Sequence, residues 1–110
     1  PALWVPPPLE QRQLRAWSDR LLALKDIRQQ ECNRIESHTF AGQTELVEHV
    51  NQHVRWLDEQ ISQLEKDIDD HIDRHPDLKR DVDLITSIPG LGRATAAKVL
   101  GHLGDVRRFD

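Results

Sequence analysis

Residues 47–71 read VEHVNQHVRWLDEQISQLEKDIDDH. Apolar residues recur there in alternating steps of three and four: Val47, Val50, Val54, Leu57, Ile61, Leu64 and Ile68, closing on His71. This is the period of a helix with one buried stripe. Val47, Val54, Ile61 and Ile68 occupy the "a" positions of a heptad and are all β-branched, while Leu57 and Leu64 occupy "d" positions. That combination favours two-stranded parallel coiled coils. The same stripe can instead pack antiparallel against a helix earlier in the chain. Leu46, His49, His53 and Trp56 form a second, partly apolar stripe, so the helix is expected to meet more than one neighbour. The expectation is a dimer in which the first two helices of each chain form a four-helix bundle, with Val47, Val50, Val54, Leu57, Ile61, Leu64 and Ile68 as its dimerisation residues.

Working outward, this helix is expected over Thr44 to Arg74. Thr44 serves as its N-cap, and Glu45 and Glu48 sit near its N-terminus, where the helix dipole favours acids. Pro76 stops it. Before it, Ser37 to Gln43 breaks the pattern at Gly42. A first helix is expected from Leu9 to Ile35, with a seam of Leu14, Trp17, Leu21, Leu24, Arg28, Glu31 and Ile35. That seam is apolar in its first half and polar in its second. Leu22 and Ile27 lie off it and imply another contact. Residues 1–8 carry Pro1, Pro6, Pro7 and Pro8 and read as an extended linker, with Pro8 at an early helical position. After Pro76, Asp77 is placed as the cap of a third helix, Leu78 to Ser87, with Val82, Ile85 and Ile88 on one face. A hairpin, Pro89–Gly92, leads into a fourth helix over Arg93 to Leu103, with Gly104 as its C-cap. No strand pattern appears, and the fold class is all-α: a long helical hairpin or coiled coil followed by a helix-hairpin-helix.

Composition limits the function classes. Hydrophobic residues make up 37% and charged residues 31% of the 110, as expected for helices with wet outer faces. Cys32 is the only cysteine, which excludes an intrachain disulfide and points to a reducing compartment. No apolar run approaches the roughly 20 residues of a membrane span. The net charge of −4 is unevenly spread: ten acids face three bases between Thr44 and Asp77, whereas four bases (Arg93, Lys98, Arg107, Arg108) face two acids from Ile88 onward. The middle is expected to repel nucleic acid and the C-terminal end to tolerate it.

The chemistry-bearing stretch is Ile88–Leu100, IPGLGRATAAKVL. Two glycines allow positive φ and close backbone approach. The backbone N–H groups of the hairpin and of the next helical turn then form an anion site for one phosphate. Ala94, Ala96 and Ala97 permit close packing on the third helix. The residues expected to meet nucleic acid are Gly90, Leu91, Gly92, Arg93, Thr95 and Lys98, with Arg93 or Lys98 taking a flanking phosphate. The plainer reading is an αα-turn that binds nothing.

Other candidates are weaker. The His49/His53 and His71/His75 pairs have the four-residue spacing of two metal ligands on one helix face, but no third ligand accompanies them, so no metal is expected. Asp67, Asp69, Asp70 and Asp73 read as a solvated acidic face rather than a magnesium site. No serine has a recognisable base, and no catalytic residue is named. Cys32 reads as packing beside the seam.

The order of these pieces is itself informative. Leu3-Trp4-Val5-Pro6 precedes a helix ending RQQECNRI (28–35). A long helix containing WLDEQI (56–61) follows, then LITSIPGLGRATAA (84–97) and LGDVRRF (103–109). This closely resembles the middle of the DEDD-type insertion-sequence transposases, described as bridge-RNA-guided recombinases. The resemblance spans nearly the whole chain and is strongest from Leu84 to Phe109. It implies a RuvC-like domain with four catalytic acids before residue 1 and a C-terminal transposase domain opening near Leu84. The nucleophilic serine of that domain would lie beyond Asp110. One departure is Gly101 inside the fourth helix, which costs about 1 kcal/mol relative to Ala. The resemblance divides the chain into a linker (1–8), a coiled-coil hairpin (9–75) and the start of the transposase domain (76–110).

The absence of Met and the close on Arg107-Arg108-Phe109-Asp110 are expected of a piece of a larger protein. The piece is then not itself an enzyme and holds no cofactor, whereas the parent uses magnesium. Its expected partners are a second copy of itself, DNA and guide RNA, in the bacterial cytoplasm at the nucleoid. Two other classes fit the residues alone: a helix-hairpin-helix accessory protein of DNA repair or junction processing, and a coiled-coil scaffold that binds no nucleic acid.

Overall fold

The computed structural model describes residues 7–90, 92–93 and 95–100. Among them the secondary structure is helical, without a strand: α1 (Leu9–Phe40), α2 (Thr44–Asp73) and α3 (Pro76–Thr86), followed by helical residues at 93 and 95–100, here called α4. The all-α reading holds. The expectations for residues 1–6, Leu91, Ala94 and everything after Leu100, including Gly101 and the Gly104 cap, lie outside the described residues.

The helix ends follow local chemistry, and several differ from expectation. The Pro8 carbonyl accepts the Arg12 N–H at 3.1 Å, so Pro8 precedes α1 rather than entering it. The first helix runs five residues past Ile35. It stops in a Schellman turn: Gln43 N–H reaches the His38 carbonyl at 2.9 Å and Gly42 N–H reaches that of Thr39 at 3.1 Å. Gly42 sits at φ 75°, the left-handed conformation this turn requires. Gln43 therefore stands at the head of α2, its carbonyl accepting the Val47 N–H, and Thr44 is the first helical residue rather than the cap. At the next junction Pro76 lacks the N–H that would continue α2, and instead occupies the first turn of α3. His75, extended at φ −122° and ψ 94°, is the N-cap residue in place of Asp77, and its carbonyl accepts the Lys79 N–H. Asp77 pairs with Arg80 at 3.1 Å instead.

The described residues fall into two compact units, each drawing on both long helices. The first is Leu21–Leu64, the turn-side parts of α1 and α2. Here the two seams are found as the heptads foretell. Leu21, Leu24 and Glu31 on α1 and Val50, Val54, Leu57 and Ile61 on α2 are buried, and Arg28, Ile35, Val47 and Leu64 are half-buried. The helices run antiparallel, tied by Arg28–Asp58 at 2.5 Å and Glu31–His53 at 2.6 Å. The polar half of the α1 seam thus has its answer on α2. Glu31, only 7% exposed, also pairs with Arg34. The hydrogen bonds from His53 and then Arg34 hold its carboxyl below the ordinary range. Off the seam, Leu22, Ile27, Leu46 and Trp56 remain exposed, with Trp56 stacked on His53 at 6.0 Å between ring centres.

The second unit joins the described residues of Pro1–Arg20 with those of Glu65–Asp110. Its core comprises Leu14, Ile68, Ile72, Leu78, Val82, Ala96, Ala97 and Leu100, all buried. Two long-range hydrogen bonds fix its layers. The Gln11 side chain donates to the Leu100 carbonyl at 3.0 Å, tying the start of α1 to α4. His71 Nε2 donates to the Glu10 carbonyl at 2.8 Å, and the His71 ring meets Trp17 edge-on at 4.9 Å. The buried face of α3 is Leu78 and Val82 with Ile85 half-buried. Ile88, expected on that face, is past the helix end and 52% exposed.

Candidate nucleic-acid interface

The hairpin begins where α3 runs out of helical partners. Ser87 N–H still reaches the Asp83 carbonyl, and the Thr86 and Ser87 hydroxyls donate back to the Val82 and Leu84 carbonyls at 2.5 and 2.6 Å. These side-chain bonds satisfy carbonyls that the ending helix would leave free. Pro89 then forbids continuation, and Gly90 turns the chain at φ 87°. A Cβ added at Gly90 would meet no atom within 4 Å, so the backbone conformation alone calls for glycine there. Of the two glycines that allow positive φ, Gly92 does not take it. It heads α4: its carbonyl accepts the Ala96 N–H at 2.9 Å. The N–H groups of Arg93 and Thr95 precede the first intrahelical bond and are the donors an anion would use.

Gly90, Gly92, Thr95 and Lys98 are exposed on this short stretch, as a nucleic-acid contact requires, whereas Ala96 and Ala97 are buried. Leu91 lies outside the described residues. Lys98 has no carboxylate partner among the described residues. Arg93 differs. Its guanidinium faces α2: one terminal nitrogen donates to Asp73 Oδ1 at 2.7 Å, and Nε stands 3.4 Å from Asp69 Oδ1. The hydrogen bond to Asp73 raises the Arg93 pKa, with Asp69, Asp73 and Asp83 adding through charge. The same bond lowers that of Asp73. Two acids that read as solvated face are therefore the partners of a base that reads as phosphate ligand. The acid run on α2 was visible in the sequence. Its pairing was not, because Asp73 and Arg93 are separated by a whole helix and a turn.

The remaining candidates find ordinary structural places. His71 and His75 have ring centres 4.6 Å apart, but each uses a ring nitrogen on a backbone carbonyl: Glu10 for His71, and His71 itself for His75. No group of three or more His, Cys, Asp or Glu suited to a metal occurs among the described residues. Cys32 is a half-buried free thiol 3.8 Å from an Arg28 nitrogen. The seven seam residues assigned to dimerisation, Val47 to Ile68, are buried or half-buried within the single chain. Among the described residues no helix is long and apolar enough to cross a membrane.

No curated protein gives a significant match to the chain. Residues 82–110, which begin in α3 and take in the whole hairpin, match the family described as Transposase IS116/IS110/IS902, and this match supports an insertion-sequence transposase as the setting of the chain.

Proposed function

We propose that this chain is a central helical piece of a DNA transposase of the DEDD, RNA-guided type, and that its hairpin positions nucleic acid for domains outside the piece. One observation carries the reading: the family match falls on the stretch that builds the glycine turn and opens α4. The hairpin offers backbone donors at the head of α4, where Gly92 and Thr95 are exposed, and an exposed Lys98 with no carboxylate partner among the described residues. Such groups hold a phosphate without reading sequence. Arg93 is the exception, being engaged by α2. Strand cleavage and transfer, the magnesium they use and the guide RNA belong to the parent protein in this reading, in the bacterial cytoplasm.

The test is nucleic-acid binding by the parent protein carrying Gly90→Ala together with Lys98→Glu. Binding at low salt should weaken and the salt dependence should fall by about one phosphate contact. Unchanged affinity and slope would remove the hairpin from the interface.

Assembly is the second half of the proposal. The seam is already covered within one chain, so a partner copy would use the off-seam residues Leu22, Ile27, Leu46 and Trp56, which are exposed. Their exposure on both helices supports a bundle of two helical hairpins.

A further inference from the structure

We propose that Asp69 and Asp73 act as a built-in phosphate mimic that masks Arg93, so that nucleic acid reaches this residue only by displacing them. The inference rests on the hairpin reading above and adds a regulatory contact to it. Arg93 is the first described residue of α4, next to the donors of Gly92 and the following turn. A guanidinium there is well placed for the flank of a bound phosphate. In this structure two carboxylates occupy it instead.

The quality of the contact argues for a latch rather than a permanent strap. A guanidinium held for good uses its fork, with two parallel hydrogen bonds to one acid. Here only the bond to Asp73 is made. Nε is closed off from solvent and has no hydrogen-bond partner among the described residues, for Asp69 at 3.4 Å is within ion-pair reach but not in hydrogen-bond geometry. An unsatisfied, buried donor is a standing cost that a different partner can relieve. The guanidinium side chain is nevertheless more than a third exposed, as are both carboxylates, so an anion has access to the pair. Asp83 adds a third negative charge nearby. While the latch is closed, the local field around Arg93 opposes an approaching phosphate, and salt or a competing anion weakens that closure.

The test measures binding of a mixed-sequence DNA duplex to the 110-residue chain by fluorescence anisotropy at low salt. Asp69→Asn with Asp73→Asn should bind more tightly, on the order of tenfold, with a salt slope steeper by about one contact. Adding Arg93→Ala should abolish the gain. Glu45→Gln with Glu59→Gln makes the same change in net charge on the turn-side part of α2 and should leave affinity near wild type. The proposal is overturned if the Asp variant binds no tighter than this control, or if its gain survives Arg93→Ala. Separately, a duplex that binds no variant, or binds wild type and Lys98→Glu alike, refutes the hairpin reading itself, and the latch with it.

Discussion

Leu57→Ala separates a seam closed within the chain from one closed between chains. Leu57 is 1% exposed, and its neighbours along the seam, Val54 and Ile61, are buried too. The substitution removes three carbon atoms, worth about 0.8 kcal/mol each in transfer alone, and leaves a gap that a two-helix layer closes only in part. The expected loss is about 3 kcal/mol, a large share of the roughly 5–15 kcal/mol that stabilises a small domain. By the usual entropy of unfolding this lowers the melting temperature by about 10–20 °C. Leu84→Ala, the same chemistry at an exposed position of α3, should cost about 0.5 kcal/mol or less. Urea titrations followed by circular dichroism at several protein concentrations give both numbers. The difference between Leu57→Ala and wild type should not change with concentration. A loss below about 1 kcal/mol, or one that grows on dilution, would place Leu57 against another chain and refute the intramolecular seam.

Three other outcomes are expected. Gly42→Ala should destabilise by about 1 kcal/mol, since its left-handed φ is strained for an L side chain although nothing lies within 4 Å of the added carbon; an unchanged urea midpoint would contradict the Schellman turn. The Glu31 carboxyl is held below its ordinary value near 4.5, so its contribution is present above that pH and is lost as acid titrates the folded form. Melts between pH 6 and pH 3 should therefore show a flatter acid limb for Glu31→Gln than for wild type, and parallel curves would dismiss the Glu31–His53 tie. Light scattering should find a dimer at high micromolar concentration that Leu22→Glu with Trp56→Glu dissociates; a clean wild-type monomer would end the two-hairpin bundle.

The periodic parts of the chain were legible because a buried stripe repeats every turn. Every residue expected on the two seams, from Leu14 to Ile35 and from Val47 to His71, is buried or half-buried. The helix ends were less legible. Thr39 donates from its hydroxyl to the Ile35 carbonyl at 2.7 Å and extends α1 across polar residues that carry no apolar period. His75, not Asp77, stands at the head of α3 because Pro76 sets where the helix starts, whatever side chain is available to cap it. The hairpin was found from its Pro and Gly pattern. The partner of its arginine was not, because an ion pair between distant helices leaves no trace in local spacing. In the sequence Asp69, Asp73 and Arg93 are separate features, whereas the fold makes them one.

The Glu31–His53 contact has a consequence for alignment. Apolar heptads tolerate sliding: advance one helix by seven residues and valine again meets leucine. A carboxylate in the stripe does not tolerate it. Moving α2 by one heptad in one direction would set Leu46 where His53 stands, leaving Glu31 buried beside a side chain with no hydrogen to give. The pair works as a key cut into an otherwise repetitive lock. It fixes which residues of α1 face which residues of α2 in the turn-side unit.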